Sequence, residues 1–320
     1  MPHNLIVLYM FSRRQLRIRV MQALYAFLSQ GGGKPREGVR ELLKSIDKAF
    51  ELYCFLLLLL KETYQYALLD RDLGLAKNIP TEEDQNPNNR FIENEALKAL
   101  ATHKPLDTLC NKLGLIWNPE DELPKKIFIE FKKSEQYNAY LKSETTSIHE
   151  DVEIAVTLFR SFLVPHELVL QIVDERSVYW ESGVESMTPI VVGTIKSLKN
   201  SNWKLHAKKI DKDDEDFIKM LFETTLQNNE EYAKYIGDKS KNWETDRIAS
   251  MDILLMKMAI SEILNFSDIP TKVSLNEYIE LSKQFSAPQS KSFINGILDK
   301  IVSDLNKKKK IKKTGKGLRV

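Results

Sequence analysis

Nine consecutive apolar residues, Leu52 to Leu60, stand between Glu51 and Lys61 and constrain the fold more than any other feature. A membrane helix needs about 20 such residues, so a run of half that length reads as a helix buried on all sides in a protein core. No segment alternates apolar and polar residues at period two over any length, so the expected fold class is all-α with no significant sheet. Glycine (12) and proline (11) are too few in 320 residues for a loop-rich β fold or a long disordered region.

The remaining helical signals are amphipathic. Ser12 is a candidate N-cap for a helix running to Ser29, with Leu16, Val20, Ala23, Leu24 and Phe27 on its apolar side. Gly31, Gly32 and Gly33 follow as a terminator and linker. One or two helices are expected over 36–77, a loop over 78–90, and helical segments over 91–113 and 124–142, broken at Trp117-Asn118-Pro119. Towards the C-terminus, helices are expected over Asp213–Glu231, Asp246–Phe266, Val273–Phe285 and Gln289–Leu305. The second of these carries Ile248, Met251, Leu255, Met258 and Ile263 on its apolar side. Gly296 lies inside the last of them, where glycine costs about 1 kcal/mol against alanine, so another backbone is expected close by.

An offset of 63 residues brings Asp151, Leu158, Phe159, Leu163, Glu167, Ser177, Trp180 and Glu181 onto Asp214, Leu221, Phe222, Leu226, Glu230, Ser240, Trp243 and Glu244. Duplication and shared packing of two helical hairpins both account for it. Two copies alone do not make a solenoid.

Charge is unevenly spread. The net charge is +2, yet Arg13, Arg14, Arg17 and Arg19 cluster without an acid, and the segment from Lys307 to Val320 carries eight basic residues and none acidic. The body between and around them is therefore acidic, near −10. A polyanion would be repelled by the body and would dock on the basic ends. Cations in the first turn of a helix oppose its dipole by some tenths of a kcal/mol, which points to an anionic partner at Arg13, Arg14 and Arg17.

Two stretches resemble the NusB family. RRQLRIRVMQALYAF (13–27) is similar to the family's arginine-rich opening helix, and IPTKVSLNEYIELSKQFSAPQSKSFINGILDKI (269–301) is similar to its ending. FINGILDK (293–300) is the most specific motif, departing from the family's form only by isoleucine for valine. The resemblance covers the first helix and about 213–305. It implies an all-helical bundle made of residues 12–30 and 206–306, interrupted by a long helical extension, 31–205, of unstated role. Residues 307–320 are expected to be a disordered basic tail.

That resemblance also implies a function: no catalysis and no cofactor, and binding of boxA-type single-stranded RNA in ribosomal RNA transcripts. The implied partners are the ribosomal protein NusE and the transcription elongation complex, in the cytoplasm and away from membranes. RNA contacts carried over residue by residue fall on Arg13, Arg14, Arg17, Phe285, Gln289 and Phe293. A protein-partner face falls on Tyr25 and Asp252. Gln289 stands where the family often has an acid and Ser286 where it often has glycine, which leaves the base contacts open. The chemistry is consistent, because single-stranded RNA is held by arginines on phosphates and aromatic rings on bases. Phe285, at a helix end before Ala287-Pro288, suits partial exposure; Phe293 suits the core equally well, sharing a stripe with Ile297 and Ile301.

Other functions find less support. His3, His103, His149, His166 and His206 make no ligand spacing, and no phosphate-binding glycine loop is present. Cys54 and Cys110 give neither a metal set nor a disulfide framework, and suit a reducing compartment. The apolar stretch from Leu5 to Phe11 precedes its arginines rather than following them, the wrong order for an export signal, and translation is expected to begin at Met10. Two alternatives stand beside RNA binding. One is a helical protein-interaction scaffold. The other is a ribosomal RNA cytosine methyltransferase, which would need a nucleotide-binding sheet and a catalytic cysteine.

Overall fold

A computed structural model describes residues 10–116, 122–180, 183–206, 210–240 and 249–318. Among them every regular element is helical, as the absence of period-two alternation predicts. The chain divides into two compact units, one of Met1–Met10 and Ile46–Lys208, the other of Phe11–Ser45 and Lys209–Val320. The second is called here the terminal unit and the first the insert unit. No single helix among the described residues is long and apolar enough to cross a membrane.

The terminal unit begins with α1 (Arg13–Ser29). Ser12 and Gln15 form a capping box in which each side chain meets the other's backbone N–H, satisfying two otherwise orphaned donors. The helix stops where the glycines begin. Gly31 N–H donates to Leu28 and Gly32 N–H to Phe27, with φ of 86° and 75°, a left-handed exit that glycine takes without a Cβ clash. The helix α2 (Pro35–Leu75) then starts in this unit and runs on into the other.

The rest of the terminal unit is α11 (Lys212–Gln227), α12 (Asn229–Lys239), α13 (Ser250–Asn265), α14 (Thr271–Phe285) and α15 (Ser290–Lys307). The expected helix over 213–231 is thus two, broken at Asn228. Leu16, Val20, Met21 and Leu24 pack the inner side of α1 against α11 and α13. The α13 helix is buried nearly all round, including Leu254, Leu255, Met256, Met258, Ile260 and Ile263. Ile248 and Trp243 lie outside the described residues.

The insert unit is built on the remainder of α2. The apolar run occupies its middle, and every residue from Leu52 to Leu60 is at most 6% exposed. The helices around it are α3 (Glu82–Gln85), α4 (Glu95–Ala101), α5 (Lys104–Lys112), α6 (Leu123–Lys132), α7 (Glu135–Lys142), α8 (Ile148–Thr157), α9 (Glu167–Arg176) and α10 (Gly183–Ser197). Three polar groups beside the apolar run find partners. Tyr53 Oη meets Thr194 Oγ1 at 2.9 Å, Trp180 Nε1 donates to the Lys48 carbonyl at 2.7 Å, and buried Lys61 pairs with Asp107. Further out, Phe91, Phe128, Phe131 and Tyr137 form an aromatic cluster with centroids 5.1–6.2 Å apart.

The 63-residue offset carries over to helix boundaries. A π-helical turn, Leu158–Leu163, extends α8, and the break before α9 falls at 164–166. Shifted by 63, this is 227–229, where α11 gives way to α12. The end of α9 at Arg176 maps onto the end of α12 at Lys239, and buried Val169 and Val173 map onto buried Tyr232 and Ile236. Trp180 is buried; Glu181, Trp243 and Glu244 lie outside the described residues.

Gly296 departs from expectation. A Cβ built there meets nothing within 4 Å, so no neighbouring backbone among the described residues explains it. Replacing Gly296 by Ala should therefore stabilise the free protein by up to about 1 kcal/mol, read as a shift in the urea midpoint. A destabilised variant would show a close neighbour after all.

Candidate nucleic-acid interface

The first turn of α1 sets three arginines against three carboxylates from three other helices. Arg13 Nε lies 2.5 Å from Asp214 in the first turn of α11, and its guanidinium sits 4.4 Å from the Phe217 ring centroid. Arg14 makes a two-pronged contact with Glu277 of α14, Nε at 2.8 Å and Nη2 at 2.7 Å. Arg17 does the same with Glu262 of α13, both contacts at 2.7 Å.

The three pairs differ in exposure, and exposure decides what each can do. The side chains of Arg13 and Arg14 are 42% and 49% exposed. That of Arg17 is 4% exposed and its partner Glu262 is 0%. Ser274 Oγ and Tyr278 Oη also donate to Glu262, at 2.8 and 3.1 Å, so its carboxylate accepts four hydrogen bonds in the core. The reading that Arg17 contacts RNA is therefore corrected. A phosphate cannot reach a guanidinium that is buried and already holds a carboxylate, and Arg17 serves to lock α1 onto α13 and α14.

Electrostatics follow the same division. Burial works against the charge of Arg17, but the Glu262 carboxylate outweighs it and the pKa is raised. The hydrogen bonds from Arg14 hold Glu277 below the usual carboxylate range, and Glu277 in turn raises Arg14. Asp214 moves the other way, because burial raises its pKa in spite of Arg13.

The aromatic half of the expected site lies at the end of α14 and the start of α15. Phe285 is half-buried as the last residue of α14, Gln289 is exposed as the N-cap of α15, and Phe293 is half-buried one turn on. The core stripe of α15 is Ile294, Ile297, Leu298, Ile301 and Leu305, so Phe293 sits beside the core. Between Phe285 and Gln289, the Ser286 hydroxyl is buried with no hydrogen-bond partner among the described residues. Phe285 is eight residues beyond Glu277, or about 12 Å along α14. That length matches three or four stacked nucleotides at about 3.4 Å each.

The two partner-face residues are not brought together on one surface. Tyr25 is 42% exposed on α1, with Leu28 at 39% one turn away. Asp252 is only 4% exposed, in the first turn of α13, and its Oδ1 has no hydrogen-bond partner among the described residues. The expectation that Asp252 faces a partner is corrected accordingly, since its side chain is buried within the terminal unit. Glu262 and Asp214 are the residues that sequence reasoning missed. The available signal was Glu262 itself, a single acid within the apolar run Met258-Ala259-Ile260-Ser261-Glu262-Ile263 that needs a buried cation.

Comparison with known proteins finds a family resemblance over part of the chain. Residues 187–303 match the NusB family, beginning within α10 and ending within α15. The chain is similar to the transcription antitermination protein NusB of Salinibacter ruber, 44% identical over 103 residues, which is 32% of this chain and 64% of that protein. The NusB of Natranaerobius thermophilus is 44% identical over 91 residues, 28% and 66% of the two chains. That of Chloroherpeton thalassium is 40% identical over 103 residues, 32% and 49%. The match thus spans less than two thirds of these relatives. No solved structure matches the chain significantly.

Two outcomes test the pairs. Arg17→Met should cost about 3–5 kcal/mol, because it leaves Glu262 buried without its cation, and a second change of Glu262→Gln should recover part of the loss. Chemical denaturation measures both; a cost near zero would mean that Glu262 is solvated. The second outcome concerns pH. With its folded pKa depressed, Glu277 contributes stability that is present above its ordinary value of 4.5 and is lost as pH falls through the folded value. Asp214, with its pKa raised, contributes with the opposite sign. Glu277→Gln should therefore make the fall of stability below about pH 4.5 shallower, and an unchanged acid limb would remove the Arg14 pair from the account.

Proposed function

We propose that residues 187–303 carry a NusB family domain whose unit binds single-stranded RNA, and that the protein is a transcription antitermination factor. In this reading it recognises boxA-type elements of ribosomal RNA transcripts together with a NusE-type ribosomal protein, within the elongation complex in the cytoplasm. The family match and the names of the relatives support the role. The observation that carries the site is the half exposure of Arg13 and Arg14 on the helix that the buried Arg17–Glu262 pair fixes in place.

The division of labour follows from chemistry. Arg13 and Arg14 take phosphates, each exchanging part of its carboxylate contact for RNA oxygen. Phe285 stacks on a base, Gln289 offers an amide to a base edge, and Phe293 closes the apolar floor beside them. Tyr25 and Leu28 provide an exposed apolar strip on α1 for the protein partner. The scaffold reading rests on the same strip without the RNA contacts.

Titration of the full chain with boxA-like and scrambled RNA, at several salt concentrations and with the partner protein present, tests this. Arg13→Ala and Arg14→Ala should each weaken binding to all sequences and lower the log–log salt slope by about 0.7. Phe285→Ala should cost roughly 1–3 kcal/mol with little change of slope. Glu277→Gln should strengthen binding, since it removes the carboxylate that competes for Arg14. Equal affinity for boxA-like and scrambled RNA would favour the scaffold; discrimination with silent arginine variants would keep the function and move the site.

A further inference from the structure

The basic C-terminal segment does not hang free as its composition predicts. The α15 helix ends in a sharp reversal: Lys309 N–H donates to Asn306 and Lys310 N–H to Leu305, with Lys309 at φ 53°, a left-handed conformation taken without glycine. The reversal sends Lys310 onto α12, where its Nζ lies 3.1 Å from Glu231 and 2.7 Å from Tyr235 Oη. Lys313 Nζ then donates to the Phe266 carbonyl at 2.8 Å, and Thr314 N–H to the Ser267 carbonyl at 2.9 Å. Gly317 is buried so tightly that a Cβ there would stand 2.0 Å from the Ser267 oxygen. Three separate anchors therefore fix the segment to the terminal unit, on α12 and on the turn between α13 and α14.

Anchoring uses Lys310 and Lys313 and leaves five lysines facing solvent. Lys307, Lys308, Lys309, Lys312 and Lys316 are exposed and make no ion pair among the described residues. Arg13 and Arg14 by contrast each already face a carboxylate. The docking point is also close to Arg13 through shared rings. Phe266, whose carbonyl holds Lys313, has its ring 5.1 Å from Phe217, and Phe217 lies beneath the Arg13 guanidinium.

We propose that residues 307–316 are a fixed cationic track that takes the phosphates of the RNA strand flanking the segment held at Arg13 and Arg14. The proposal rests on the RNA-binding reading above and adds to it. The core site supplies base recognition but little uncompensated charge, and the track supplies charge in a fixed place without base contacts. Most of the salt dependence of binding then belongs to the track, since five phosphate contacts on a single strand correspond to a log–log slope of about 3.5.

The experiment compares a short boxA-like RNA with the same RNA carrying six further nucleotides on either side. It uses the full chain, a variant with the five exposed lysines replaced by glutamine, and two undocking variants, Gly317→Ala and Thr314→Pro, which leave the charge unchanged. Hydrogen exchange over 310–317 reports whether the segment is released. Flanks on one side should tighten binding to the wild type, and the glutamine variant should lose that gain and about 3 of the salt slope. The undocking variants should show fast exchange and lose most of the flank gain while binding the short RNA normally. Fast exchange with the flank gain intact would overturn the track in favour of a diffuse charged tail. Slow exchange in both variants would remove the anchors on which it rests, and overturn it too. Failure of every form to prefer boxA-like over scrambled short RNA would instead count against the underlying reading, and is separate from any effect of the flanks.

Discussion

Glu262 carries a carboxylate into the core of the terminal unit, and the rest of that unit is arranged around satisfying it. Arg17 meets it with two hydrogen bonds, Ser274 and Tyr278 with one each. Such a pair contributes little net stability, because desolvating two charges offsets most of their attraction. Its larger effect is on register. If α1 slid by one residue, Arg17 and Glu262 would each be buried without a partner, so the pair fixes where α1 sits on α13 and α14. Arg13 and Arg14 are placed at the surface as a consequence, next to Asp214 and Glu277.

Much of this architecture was legible in the sequence. Apolar stripes gave α1, α13, α14 and α15 to within a few residues, and the run from Leu52 to Leu60 gave a core helix, because burial leaves a periodic trace in residue type. The break at Asn228 left no such trace, since polar residues flank it on both sides within one amphipathic pattern. The three arginines were legible as a group but not as individuals. Spacing along a helix tells which residues share a side; it does not tell that one of three cations finds a carboxylate 245 positions away and two stay half exposed. Asp252 misled for the same reason, as its burial depends on what packs over the first turn of α13.

The segment after α15 was misread on composition. A run of lysines lowers hydrophobicity and raises charge, which usually means disorder. Here docking depends on backbone carbonyls at Phe266 and Ser267 and on one missing side chain at Gly317, and none of these has a compositional signature. The 63-residue correspondence is clearer in helix boundaries than in residue identity. Shared breaks and ends at the same offset in α8–α9 and α11–α12 concern geometry, which persists when residues diverge.

The separation of Arg17 from Glu262 also sets a clock. At translation rates of about 5–20 residues per second, the 245 residues between them take roughly 12–50 s to emerge. Throughout that interval α1 has been made and its buried partner has not. Residues 46–208 of the insert unit are synthesised before then. The α1 segment therefore waits without the carboxylates that Arg13, Arg14 and Arg17 meet in the folded unit, and anything that shields it during synthesis acts on the yield of the terminal unit rather than on its final stability.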